Sequence, residues 1–139
     1  IEEAREAYFK IFPYVDVLLT GLDELELILQ KNDFEQFAKK YEFEQLVIKD
    51  GANGAKAYSN GEWLFAPPFE VKAIDTVGAG DGFDAGYIYS YLQGKSVSEC
   101  LKFANAVGAM VVTVKGDNEG LPELEDVEVF LGLKNVIER

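Results

Sequence analysis

The octapeptide Asp75-Thr76-Val77-Gly78-Ala79-Gly80-Asp81-Gly82 lies between an extended segment, residues 71–74, and a helix that we expect over residues 83–92. Two of its glycines flank Ala79, and such residues let backbone amides converge on one point without obstruction by Cβ atoms. The following helix adds roughly half a positive charge at its N-terminus. We therefore predict that the amides of Gly78, Ala79 and Gly80 form an anion hole.

Asp81 stands in the first turn of that helix, beside the predicted anion hole. A carboxylate in this place would repel a phosphate, so it is a poor anion ligand. A base that takes a proton from an attacking hydroxyl explains the position better. A glycine-rich turn capped by an aspartate is the structural alternative. The pattern fits neither a P-loop, since no Gly-Lys-Ser/Thr follows, nor the spacing of a dinucleotide fingerprint.

The rest of the chain alternates short apolar runs with stretches of helical spacing. We expect helices over 2–12, 22–30, a stretch capped by Asn32 or Asp33 and ending at 41, then 83–92, 97–112 with Ser96 as its cap, and 124–131. Strands are expected over 15–19, 44–49 and 71–74, and Asn60-Gly61 predicts a hairpin that joins 55–59 to 62–66. This order predicts an α/β layer of parallel strands flanked by helices, and one domain over residues 1–139.

Composition excludes several classes of function. The net charge of −12 argues against a nucleic-acid partner, but helix-terminal amides can still bind a small phosphorylated ligand. The chain has no histidine and one cysteine, which excludes histidine-based catalysis, an internal disulfide and a cysteine-based zinc site. No apolar run approaches the roughly 18 residues of a membrane span, and no signal peptide is expected. We therefore expect a cytoplasmic protein without a membrane partner.

Residues 75–83 closely resemble the signature of the ribokinase-like family of carbohydrate kinases. Residues 48–55 resemble that family's nucleotide-binding turn, and residues 103–109 and 114–116 resemble its adenine-side helix and loop. The resemblance begins near Val15 and corresponds to the C-terminal half of such kinases. It implies the C-terminal portion of a three-layer ribokinase-like sheet flanked by helices, which binds the nucleotide and carries the catalytic base of a longer kinase.

The resemblance implies ATP-dependent phosphotransfer to an alcohol group of a sugar or sugar acid. Asp81 would be the base, and the amides of Gly78, Ala79 and Gly80 would hold the developing charge. The nucleotide would be bound by Lys49, Asp50, Gly51, Ala52, Asn53, Gly54, Gly80, Asp81 and Asn105. Two structural alternatives stay open, namely a solvated strand end for Lys49 and a satisfied core amide for Asn105.

The resemblance also implies two kinds of metal ion. A monovalent cation, with potassium as the suitable ion, would be bound by the Asp75 side chain and mainly the backbone carbonyls of Val77, Val111, Val114, Gly116 and Gly120. Asp75 alternatively braces its loop by accepting hydrogen bonds from backbone amides. Glu24 would organise hydrated Mg²⁺, although Gly21 replaces the asparagine that often precedes this glutamate in the family. Glu24 and Asp84 also fit simple acids in the first turns of helices. The alternative for Asp84, one turn after Asp81, is that it tunes Asp81.

The loop over residues 116–122 looks most like family members that act on 2-keto-3-deoxygluconate. Two further interpretations stay open: a vitamin kinase for a pyridoxal-like alcohol, and a non-catalytic nucleotide-binding module or kinase fragment. In the family, the N-terminal half supplies most sugar contacts and the lid. We therefore expect the isolated chain to be inactive, and a homodimer, which the family often forms through the lid, stays open.

Overall fold

The computed structural model describes residues 1–116 and 120–133. Four strands form one sheet in chain order, and they are β1 (Val17–Gly21), β2 (Gln45–Lys49), β3 (Ala55–Ser59) and β4 (Glu62–Ala66). β1 and β2 pair in parallel, whereas β2–β3 and β3–β4 are antiparallel. The α/β class is confirmed, but the sheet is mixed rather than parallel, because only a short turn separates β2 from β3.

The strand expected over residues 71–74 is not formed. The backbone N–H groups of Ile74 and Asp75 donate instead to the carbonyl oxygen of Val112, over 2.7 and 3.1 Å. This segment is therefore tied to the end of a helix and not to the sheet.

Six helices surround the sheet in the described residues, and they are α1 (Glu2–Ile11), α2 (Leu22–Leu29), α3 (Phe34–Tyr41), α4 (Ala79–Leu92), α5 (Val97–Val111) and α6 (Leu124–Phe130). The side chains of Asp33 and Ser96 cap α3 and α5, as predicted. α4 begins at Ala79 and not at residue 83, because Gly78 takes the left-handed conformation that starts it. Within the described ranges, no helix is long and apolar enough to cross a membrane.

The sheet lies between two layers of helices because β2 is buried on both faces. Leu46 and Ile48 pack with the aromatic and aliphatic residues of α1–α3 and their connections. Val47 points the other way and packs with Phe83 and Tyr87 of α4 and with residues of α5. This confirms the three layers expected from the sequence.

Glycines bring α4 unusually close to α5. A Cβ atom on Gly86 would lie 2.9 Å from Cγ2 of Val107 and 3.2 Å from Cα of Ala104. A Cβ atom on Gly82 would lie 2.8 Å from Cγ2 of Val111. Direct packing therefore fixes the start of α4 against α5, and with it the position of the turn of residues 78–81.

We expect Gly86→Ala to lower the free energy of unfolding. Overpacking a core costs roughly 1–3 kcal/mol, and the higher helix propensity of alanine offsets at most about 1 kcal/mol of this. Gly80→Ala is the matched control in the same helix, since the nearest atom that its Cβ would meet outside the local backbone is the Lys49 Nζ atom, at an ordinary 3.6 Å. Urea unfolding followed by circular dichroism measures both variants. Equal stability of the two would contradict the packing argument.

Candidate active site

The turn at the start of α4 leaves several backbone donors without partners. Within residues 1–116 and 120–133, the N–H groups of Gly78, Gly80 and Asp81 donate to no other group, whereas that of Ala79 donates to the Thr76 carbonyl oxygen over a long 3.4 Å. Gly78 has φ 82° and ψ −3°, a conformation that favours glycine. The three predicted anion-hole residues therefore lie in one turn at a helix N-terminus, where the dipole also favours an anion.

Asp81 is exposed in this turn. In the described part of the chain its carboxylate forms no ion pair and accepts no hydrogen bond from a side chain. A carboxylate in this state is free to accept a proton from a bound hydroxyl. The turn thus places free amide donors and a free carboxylate side by side.

Lys49 reaches this turn from the carboxyl end of β2. Its Nζ atom lies 2.9 Å from Oδ1 of Asp84 and 3.6 Å from the point that a Cβ atom on Gly80 would occupy. The Lys49 side chain is only 20% exposed. Lys49 is therefore held over the start of α4 and is not the solvated strand end of the alternative interpretation.

Asp84 makes a contact with Lys49 that the sequence did not predict. The sequence favours a simple first-turn acid at Asp84, but the structure shows an ion pair with Lys49, 35 positions earlier in the chain. A pair so distant in sequence leaves no local spacing pattern. The only available signal was the presence of a second acid one helical turn after Asp81.

The predicted nucleotide turn over residues 50–54 is compact. The Asp50 N–H donates to the Gly54 carbonyl oxygen over 2.9 Å, and the residues between them, Gly51, Ala52 and Asn53, form an exposed 3₁₀ turn. Gly54 has φ 99°, and a Cβ atom there would lie 2.4 Å from the carbonyl oxygen of Ala66. Glycine is therefore required at this position.

Asn105 meets the same backbone carbonyl. Its Nδ2 atom donates to the carbonyl oxygens of Ala66 and Pro67, each over 3.1 Å. The side chain thus fastens the end of β4 to α5 and places the partly buried Asn105 close to Gly54. Contact of Asn105 with an adenine ring stays a prediction.

Asp75 braces the loop that precedes α4. Its two carboxylate oxygens accept hydrogen bonds from the N–H groups of Val77 and Gly116, over 3.0 and 3.1 Å. These bonds, first that from Val77, lower the pKa of Asp75 below its usual value. The carboxylate is therefore charged at neutral pH, as a cation ligand must be.

The other predicted cation-binding positions lie around this brace. The Val111 carbonyl oxygen accepts from the Val114 N–H over 3.4 Å, and a Cβ atom on Gly120 would lie 2.7 Å from that oxygen. In the described residues no group of three or more His, Cys, Asp or Glu side chains could hold a metal ion. A cation here would depend on backbone carbonyls, and its binding stays a prediction.

Glu24 caps α2 at the neighbouring strand end. Its Oε2 atom accepts a hydrogen bond from the Gly21 N–H over 3.3 Å, and Gly21 lies opposite Lys49 in the β1–β2 pair. Glu24 is therefore at the same edge of the sheet as Lys49, and a role toward Mg²⁺ stays a prediction. Residues 117–119 of the loop that resembles the 2-keto-3-deoxygluconate kinases lie outside the described residues.

Residues 1–124 match the family model described as "pfkB family carbohydrate kinase". The chain belongs to this family. The predicted resemblance to carbohydrate kinases is thereby confirmed.

Among curated relatives in the pfkB family, the chain is 37% identical over 132 residues to a 2-dehydro-3-deoxygluconokinase of Thermoproteus tenax, covering 92% of this chain and 41% of the relative. A putative ribokinase II from E. coli, solved with ATP and Mg²⁺, superimposes with a TM-score of 0.85 at 28% identity, covering 96% of this chain and 44% of that one. A fructokinase double mutant from Vibrio cholerae, solved with fructose, ADP and a potassium ion, gives a TM-score of 0.86 at 25% identity, covering 94% and 45%. The chain thus spans less than half the length of each.

Proposed function

We propose that the native full-length protein transfers the γ-phosphoryl group of ATP to an alcohol group of a sugar or sugar acid, and that this chain supplies the nucleotide site and the base. One observation carries the proposal. Among the described residues, the turn at the start of α4 has free amide donors and the unpaired Asp81 carboxylate, and the Lys49 ammonium of β2 lies against it. Family membership and the relatives named above support the same chemistry.

In the proposed reaction, Asp81 takes the proton of the acceptor hydroxyl. The hydroxyl oxygen then forms a bond to the γ-phosphorus while the bond from that phosphorus to the β–γ bridging oxygen breaks, and ADP leaves. The N–H groups of Gly78 and Gly80 and the Lys49 ammonium meet the charge on the transferred group. Mg²⁺, near Glu24, would neutralise charge on the phosphates.

The nucleotide would follow the sheet edge from this turn. The compact turn of Gly51 to Gly54 offers a close backbone approach, and Asn105 lies beside Gly54 through the shared Ala66 carbonyl. We place the ribose and adenine along this line. Potassium would be held by the Asp75 carboxylate and neighbouring backbone carbonyls, and the potassium ion in the Vibrio cholerae fructokinase structure supports the choice of ion.

For the acceptor, we propose a sugar acid of the 2-keto-3-deoxygluconate type. The name of the Thermoproteus tenax relative supports this choice. The pyridoxal-like alternative is not proposed, because the family description names carbohydrates.

Titration calorimetry with a non-hydrolysable ATP analogue and Mg²⁺ tests the nucleotide site in the native full-length protein. We expect binding, and we expect Gly80→Ala to weaken it by roughly tenfold or more, since a methyl group then stands where the phosphate approaches the amides and Lys49. Ala85→Ser, at an exposed position of the same helix, is the control and should bind like the wild type. Absence of heat at millimolar analogue would refute the proposed function.

A further inference from the structure

The Lys49 ammonium is enclosed by three groups of α4. Asp84 Oδ1 lies at 2.9 Å, the Phe83 ring centroid lies at 5.9 Å, and the backbone of Gly80 lies on the side of the anion turn. Gly80 has no side chain to fill the remaining gap, so the ammonium stays close to the free amides. The cation is thus held beside Gly80, where it would face a transferred phosphoryl group.

The first two turns of α4 carry two carboxylates. Asp81 and Asp84 are three positions apart, and residues at this spacing are neighbours on a helix surface. In the described residues the ammonium pairs with Asp84 and not with Asp81. An opposite charge in contact with a carboxylate favours its ionised form and makes it a poorer proton acceptor. Asp81 therefore benefits from having the ammonium held elsewhere.

The ion pair is a weak candidate for a purely structural device. Both side chains are partly exposed, 20% for Lys49 and 33% for Asp84. Pairs of this kind contribute little to stability, and their replacement by neutral residues is often tolerated. A contribution to stability therefore does not explain why the pair lies against the anion turn.

We propose that Asp84 is a positioning residue for phosphoryl transfer. It anchors the Lys49 ammonium beside Gly80, so that the transferred phosphoryl group meets a fixed cation while the Asp81 carboxylate stays unpaired. This inference rests on the proposed function. Asp84 itself touches neither nucleotide nor acceptor and acts through Lys49.

A double-mutant cycle in the native full-length protein tests the inference. Asp84→Asn should lower kcat roughly 10- to 100-fold, the effect that misplacement of a reacting or stabilising group by about 1 Å has on a rate. Asp84→Glu, which retains a carboxylate, should recover most of kcat. In a Lys49→Met background, Asp84→Asn should cause no further loss, because Asp84 has no cation left to position. Melting temperatures of all variants are measured beside kcat.

Each outcome of the cycle supports or overturns the proposal. If Asp84→Asn unfolds, the comparison of Lys49→Met with Lys49→Met/Asp84→Asn still decides, since the double variant leaves no unpaired charge. The positioning role is wrong if the wild type is active and Asp84→Asn has the same kcat. It is also wrong if Asp84→Asn lowers kcat equally in the presence and in the absence of Lys49. Neither result affects the proposed function. A wild type that binds no ATP analogue overturns the proposed function, and the positioning role with it.

Discussion

Asp81→Asn should lower kcat of the native full-length protein by roughly 100-fold or more, which is the usual contribution of general base catalysis. Asparagine has nearly the shape of aspartate but cannot take the proton of the acceptor hydroxyl. The backbone amides and Lys49 are unchanged, so the affinity for ATP should stay close to that of the wild type. Because Asp81 is exposed and forms no ion pair within the described residues, the fold should not depend on its charge.

The measurement combines steady-state kinetics with calorimetric titration of an ATP analogue and a thermal melt. Asp23→Asn is the matched control, because Asp23 is likewise an exposed acid in the first turn of a helix, α2. The control should keep wild-type turnover. Turnover of Asp81→Asn within a few fold of the wild type would mean that Asp81 only caps α4, the alternative that the sequence left open.

Features that depend on neighbouring residues were predictable from the sequence. Asn60 and Gly61 both have positive φ, 51° and 78°, and they form the hairpin turn between β3 and β4 that their residue types indicate. The caps at Asp33 and Ser96 are local in the same way. Local backbone preference decides these elements, so a single sequence is sufficient to find them.

The errors have tertiary causes. Residues 71–74 have the composition of a strand, but the N–H group of Ile74 donates to the carbonyl oxygen of Val112, which ties this segment to the end of α5 and not to the sheet. The early start of α4 depends on the left-handed conformation of Gly78, which a glycine adopts without a steric penalty.

In the candidate site, too, the local turns were predictable from the sequence and the long-range contact was not. The turn of Gly78 to Asp81 and the turn of residues 50–54 are short motifs, and the sequence identified both. The pairing of Lys49 with Asp84 joins the two motifs across 35 positions, and no property of either residue alone specifies it. The structure was therefore needed to show that the cation at the end of β2 belongs to the turn that carries Asp81.

The 139-residue chain alone should not phosphorylate a sugar or sugar acid at a useful rate. It contains the proposed base and anion turn, so part of the electrostatic machinery is present. By the family resemblance, the groups that hold the acceptor hydroxyl in line with the phosphorus belong to the other half of such a kinase, and this positioning can supply roughly 7–11 kcal/mol of a barrier. More than half of the Thermoproteus tenax relative has no counterpart in this chain, which covers 41% of it.

The exposed apolar surface of the chain supports this expectation. β1 pairs with β2 alone among the described strands, so its other edge is open, and open edges promote association. Leu92 and Ile88, one turn apart on α4, are 73% and 49% exposed and lie on the helix that carries Asp81. We therefore expect the isolated chain to self-associate or to be marginally stable, which size-exclusion chromatography and a thermal melt measure.

A coupled assay of ADP release with a panel of sugars and sugar acids tests whether the 139-residue chain is active on its own. It compares the 139-residue chain with the native full-length protein, and Asp81→Asn of the full-length protein sets the background rate. We expect acceptor-dependent turnover only in the full-length wild type, because water, and not a held hydroxyl, would occupy the face of the phosphate in the short chain. Acceptor-dependent turnover of comparable size in the short chain would show that residues 1–139 position the acceptor by themselves, and the argument from missing positioning groups would then be wrong.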